Sequence, residues 1–157
     1  MQKYTLVPKS FFEEDKAYDI LSETVQLNGT DEVKYQELPE YQAVLVYAGN
    51  PGTPANSGNP PSILNLIRSL VKISDYNKVA VKYSEGRLEI AAAAGDKLLI
   101  ANSYPAENYV TGEYFIFAAT KKFQMNPAQT VLYFEGDAPF KMKNDLIRYF
   151  KGLERLK

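Results

Sequence analysis

The chain has 157 residues, enough to bury a real core in one domain or two small lobes, and its 45% apolar and 24% charged residues exclude disordered and fibrous classes. Its 18 basic and 19 acidic side chains leave a net charge of -1, so no general positive field exists to hold a nucleic-acid backbone. Cysteine and histidine are both absent, which removes disulfides, thiol nucleophiles, Ser-His-Asp triads and conventional zinc centres.

The amino terminus, MQKYTLVPKSFFEED, contains no apolar run of signal-peptide length. No segment approaches the roughly 20 apolar residues that cross a bilayer, so a cytoplasmic location without membrane contact is expected. Tyr4 to Val7 is a short apolar run closed by Pro8. In Ser10-Phe11-Phe12-Glu13 the hydroxyl and the carboxylate have the spacing of a capping box, which predicts a helix from Ser10 to about Ser22 with Phe11, Tyr18 and Leu21 on one side. Asn28-Gly29-Thr30-Asp31 reads as a turn.

Val33 to Leu38 alternates as a half-exposed strand does, and Ala43 to Ala48 is a continuous apolar run suited to a buried strand. From Gly49 to Pro61 glycine and proline supply seven of thirteen residues, the composition of a loop. Ser62 can cap a helix to about Ile73 whose face follows Ile63, Ile67, Leu70 and Ser74, widened by Leu64, Leu66 and Val71; so apolar a helix is expected between layers.

Lys78 to Tyr83, Arg87 to Ala94 and Lys97 to Tyr104 read as strands joined by Ser84-Glu85-Gly86 and Gly95-Asp96, an antiparallel meander. Glu107 to Met125 carries Val110, Tyr114, Phe117 and Ala118 at helical spacing and should stop before Asn126-Pro127. Thr130 to Phe134 is strand-like, Glu135-Gly136-Asp137 turns the chain, and Lys141 to about Leu156 reads as a helix with Leu146, Ile147, Phe150 and Leu153 inward. Its basic residues Lys141, Lys143, Arg148 and Lys151 are interleaved with Asp145 and Phe150, the pattern of a solvated face. A meander followed by a right-handed helical crossover places the next strand parallel to the first, and a ribonuclease-H-like sheet is the commonest solution of that order.

Several stretches, YTLVPKSFFEEDKA, ELPEYQAVLVYA, VAVKYSEGRLEIAAAAGDKLLIANSY and VLYFEGD, resemble an uncharacterised bacterial family described as having an actin-like ATPase fold. The resemblance spans nearly the whole chain apart from the Gly/Pro loop, through hydrophobic patterns rather than catalytic signatures. It implies an α/β, ribonuclease-H-like architecture of the actin-like type: a mixed sheet with a three-stranded antiparallel meander followed by helix, strand and helix. Residues 1–75 would then be a partial first lobe lacking its opening strands, and residues 76–157 the second lobe. In the family a helix usually follows the strand matching Ala43 to Ala48, where this chain has its short loop. That departure makes an exchanged-segment homo-oligomer an expectation to test.

Actin-like ATPases hold phosphates on tight hairpins rich in Asp, Gly and Thr, because amides and small hydroxyls must approach the anion while a carboxylate organises magnesium. Here Lys82-Tyr83-Ser84-Glu85-Gly86-Arg87 occupies the matching hairpin with a bulky tyrosine and without the Asp-Gly-Gly-Thr kind of sequence. The adenosine segment of such proteins, an apolar strand ending in glycines, is matched by Val131 to Asp137 with the single Gly136. Both read better as turns. No Gly-x-x-x-x-Gly-Lys-Ser/Thr loop occurs, and the acidic neighbours Glu13-Glu14 and Asp31-Glu32 point different ways rather than converging on one bond. The aromatics Tyr114, Phe115 and Phe117 are expected in a core, with Tyr35, Tyr41, Tyr104 and Tyr109 exposed as marks of a protein contact.

The expected function is therefore that of a non-catalytic scaffold or regulator acting through an unidentified protein partner, without catalytic residues, cofactor, metal or nucleic acid. The alternative is an ATP-binding protein or weak ATPase using magnesium, with Ser84, Gly86 and Gly136 as its contacts.

Overall fold

A computed structural model of the chain describes residues 3–29, 31–49, 61–84 and 86–156. It divides into two compact units, residues 1–64 and 65–157.

In the first unit β1 (Lys3–Pro8) and β2 (Glu32–Leu38) flank β3 (Ala43–Gly49), both antiparallel to it. The unbroken apolar run of β3 suits this central place: Val44, Leu45, Val46 and Tyr47 are all buried. The short helix α1 (Ala17–Ser22) lays Ala17 and Leu21 against Val44 and Val46. The turn before β2 is tied by Asp31, whose carboxylate accepts from Asn28 N at 2.8 Å and from Lys3 Nζ at 2.7 Å; these hydrogen bonds hold its pKa below the usual carboxylate range.

Of the helix expected from Ser10 to about Ser22, only the second half forms, as α1. Lys9–Phe11 and Glu14–Lys16 are separate single 3-10 turns, and the chain between them is extended at Phe12 and Glu13. No side-chain cap forms, and Glu13 pairs with Lys16 at 2.8 Å instead. The competing term is tertiary: Phe12 leaves the helical path to place its ring 5.0 Å from Tyr35, over the α1 side of the sheet. Phe11 is left exposed. Of the loop expected from Gly49 to Pro61, Gly49 ends β3 and residues 50–60 are outside the described residues; α2 (Ile63–Val71) follows with Ile63, Leu64, Leu66, Ile67 and Leu70 buried and Val71 exposed.

The second unit is a five-stranded mixed sheet in the order β6-β5-β4-β7-β8. β4 (Asn77–Ser84), β5 (Arg87–Ala94) and β6 (Lys97–Pro105) form the expected antiparallel meander, with a register shift at Ala92/Ala93. α3 (Tyr109–Lys122) crosses over, and β7 (Val131–Phe134) returns parallel to β4, with Val81 beside Phe134. Alternation sends Val79, Val81, Leu88, Ile90, Leu132 and Phe134 to one face, where Ile116 and Ala119 of α3 and Met142 and Leu146 of α4 (Phe140–Leu146) cover them.

α3 is closed at both ends by local chemistry. Asn108 accepts from Thr111 N at 3.0 Å, and at the other end Gln124 turns left-handed (φ 56°) while Met125 N donates to Thr120 O at 2.8 Å. Its inward residues are Gly112, Ile116, Ala119 and Thr120. Of the residues expected at helical spacing, Val110, Tyr114 and Ala118 face solvent and Phe117 is half-buried.

The helix expected over Lys141–Leu156 ends at Leu146. After a turn, β8 (Gly152–Arg155) pairs parallel to β7, with Leu132 beside Leu153. Gly152 disfavours continued helix, and Lys151 N is captured by the carbonyls of Pro127 and Thr130, which sets the chain against the open edge of β7. Ile147 is exposed rather than inward. The tyrosines expected on the surface are half-buried: Tyr104 stacks on Phe115 at 4.2 Å, Tyr35 sits against Phe12, and Tyr41 has a buried hydroxyl without a hydrogen-bond partner. Tyr114, expected inside, is 67% exposed.

Candidate functional site

Three parallel strands, β4, β7 and β8, end at one margin of the second sheet, the place where open α/β sheets commonly take ligands. The register carries the candidate residues there together. Glu135 N donates to Val81 O at 2.9 Å, so Ser84 at the end of β4 and Gly136 just past β7 lie on neighbouring strands. Ser84 is exposed and pairs with Arg87 across the hairpin, whose Glu85 is outside the described residues.

Gly86 and Gly136 both have φ +73°, and among the described residues beyond their chain neighbours nothing lies within 4 Å of where a Cβ would stand on either. Their left-handed backbone is reason enough for glycine. The carbonyl of Gly86 is already engaged, accepting from Ala106 N at 2.7 Å. Tyr83 does not crowd this margin. Its ring turns to the α3 side, and its hydroxyl donates to Ala106 O at 3.1 Å.

Two of the cations at the margin already face carboxylates. Lys82 Nζ lies 3.5 Å from Glu135 and opposite Glu89 in the register, and Arg155 lies 3.5 Å from Asp137. A phosphate arriving here would meet carboxylates beside every one of these cations. Beside β7 and β8 a cleft of about 390 Å³ is lined by Lys72, Ser74, Tyr133 and Glu154 among others. Tyr133 donates to Asp75 at 2.8 Å, and burial with that carboxylate pushes its hydroxyl up to about 12, so it serves as a fixed donor rather than a proton shuttle.

A different group of residues meets between α3 and α4. Glu113, Phe117, Asp145, Arg148 and Tyr149 line a groove of about 460 Å³. The Phe117 and Tyr149 rings meet edge to face at 5.2 Å. Burial, then the hydrogen bond and negative charge of Asp145, push the Glu113 carboxyl up to about 7, and its Oε2 is buried without a hydrogen-bond partner. Thirty-two positions separate these two acids in the chain, and no local spacing signals their meeting. Among the described residues no cluster of three or more acidic groups suits a metal ion, and no helix is long and apolar enough to cross a membrane.

No curated protein matches the chain. A crystal structure from Bacteroides thetaiotaomicron VPI-5482, of a protein described as having an actin-like ATPase fold and unknown function, superposes with a TM-score of 0.80 at 19% identity. The alignment covers 99% of this chain and 65% of that one, so the chain spans just under two thirds of its neighbour, and at that identity the likeness speaks for the fold alone. A family profile described as protein of unknown function (DUF3822) matches residues 1–53 and 60–152. The fold is thus of the actin-like ATPase kind, and the chain belongs to the DUF3822 family of proteins of unknown function.

Proposed function

We propose that this protein is a non-catalytic scaffold or regulator that works through protein contacts. The observation that carries the reading is the second apolar face of α3. A helix covering a sheet needs one apolar side, and α3 has that side in Ile116 and Ala119. Its opposite side nonetheless presents Val110 at 57% and Tyr114 at 67% exposure, continued after α4 by Tyr149 at 58%. Exposed apolar surface grouped on one side of a domain is characteristic of contact surfaces, and tyrosine is a favoured contact residue. In this reading residues 1–75 act as a partial first lobe and residues 76–157 as the second, and self-association is one form the contact can take.

The test is a photo-crosslinking amino acid at position 114 in cells, with Lys97, an exposed residue of β6, as the control position. A discrete protein adduct from position 114 and none from 97 is expected; no adduct from either would overturn the reading.

The ATP-binding alternative draws support from the register that brings Ser84, Gly86 and Gly136 to one margin. The carboxylates beside Lys82 and Arg155 weigh against it. Calorimetric titration with ATP and magnesium separates the two. Silence at millimolar nucleotide is expected, and micromolar binding lost on Gly136→Trp would replace the scaffold reading with the nucleotide one.

A further inference from the structure

The α3–α4 groove has a chemistry that the apolar face beside it does not require. Two carboxyl groups from different helices face one space, Glu113 from α3 and Asp145 from α4. The other titratable groups facing it are Arg148 and Tyr149, from the turn after α4. Among the described residues no ion pair joins Arg148 to either acid, although all three line the same groove. Glu113 Oε2 is shielded from solvent and accepts nothing. The groove thus brings two acids, one of them with a buried oxygen, to a place where one cation would serve both. The walls on either side are the rings of Phe117 and Tyr149.

We propose that this groove recognises a basic side chain of a partner protein, an arginine or lysine whose charge is received by Glu113 and Asp145 and whose stem lies against Phe117 and Tyr149. The inference rests on the protein-contact reading above and names the chemistry of the contact. Charge complementarity selects the occupant. A guanidinium presents a planar fork of donors to two acceptors, and its face and methylene stem suit aromatic walls. Val110 and Tyr114, exposed on the same helix as Glu113, offer apolar surface to the same partner. Cation entry favours the ionised Glu113 carboxyl, so binding near neutral pH releases its proton and strengthens as pH rises.

The experiment is an NMR titration of the whole chain with Nα-acetyl-arginine methylamide, against the neutral isostere Nα-acetyl-citrulline methylamide. Saturable shifts at the amides of Glu113, Phe117, Asp145 and Tyr149 are expected with the arginine probe, tighter at about pH 8 than at about pH 6. Glu113→Gln and Asp145→Asn, each checked for an intact spectrum, should weaken it by about ten-fold, as loss of a charge-assisted bond does. Arg148→Gln should leave it unchanged or tighter. Equal response to both probes, unchanged binding in both acid variants, or no saturation would overturn the inference. So would weaker binding in Arg148→Gln, which would mark an anion site. Adducts from position 114 with a silent arginine probe would overturn this inference and leave protein contact standing. A probe that binds while position 114 gives no adduct would overturn protein contact instead. A concentration-dependent dimer abolished by Glu113→Gln would replace the separate partner with a second copy of this chain.

Discussion

Gly112 shows how closely α3 lies on its sheet. A Cβ there would stand 3.3 Å from Met142 Cε and 3.3 Å from Tyr83 Cδ1, inside ordinary packing distance. Alanine would recover the roughly 1 kcal/mol of helix propensity that glycine forfeits, so Gly112→Ala should change stability by less than about 1 kcal/mol, with contact strain and propensity offsetting. Gly112→Leu has no such room and should cost about 2–3 kcal/mol in urea unfolding; a neutral result would mean that α3 can slide. Glu113, its neighbour, makes stability depend on pH. The folded protein holds a proton that the unfolded chain releases, because the carboxyl rises from 4.5 to about 7. That stabilising margin is whole below about pH 4.5 and is lost as pH rises through about 7. Glu113→Gln keeps the shape without the charge, and above that window it should exceed the wild type by on the order of 1 kcal/mol once solvent screening is counted. Urea unfolding across the pH range reads this directly, and parallel slopes for the two proteins would contradict it.

At the scale of the element, α3 depends on its ends as well as its faces. Asn108 is its cap, and Asn108→Ala should cost about 1 kcal/mol, seen in thermal unfolding followed by circular dichroism. β8 depends on packing. Leu153 sits in the α3–α4 core beside Leu132, so Leu153→Ala should cost about 2 kcal/mol and raise amide exchange through β7 and β8 together. If exchange rose throughout the five strands equally, the edge pair would not be the local unit supposed here. The same strand shows how a helical pattern misleads. Leu146, Phe150 and Leu153 share one core whether the chain is coiled or extended, since i, i+4 and i+7 reach it in a helix and a turn followed by a strand reaches it here.

For the whole molecule, stability should be greatest where pairing is two-sided. β3 has partners on both edges in the first unit, and β4 has β5 and β7 in the second. Native-state hydrogen exchange should find these strands slowest within their own units, with the edge strands β6 and β8 faster. Slowest exchange in β6 would be inconsistent with that order.

The sequence by itself determined the alternating strands, the tight turns at Gly86 and Gly136, the meander and the parallel return of β7, because each follows from signals acting within a few residues or from a handedness that admits few topologies. Only the tertiary structure decided which of two apolar faces α3 turns inward, that Phe12 leaves its helix for Tyr35, that the end of the chain becomes β8, and that Glu113 meets Asp145. The physical reason is common to these four. Local propensity differs by a fraction of a kcal/mol per residue, whereas burial against a surface supplied by a distant segment contributes several times more, so the distant surface prevails.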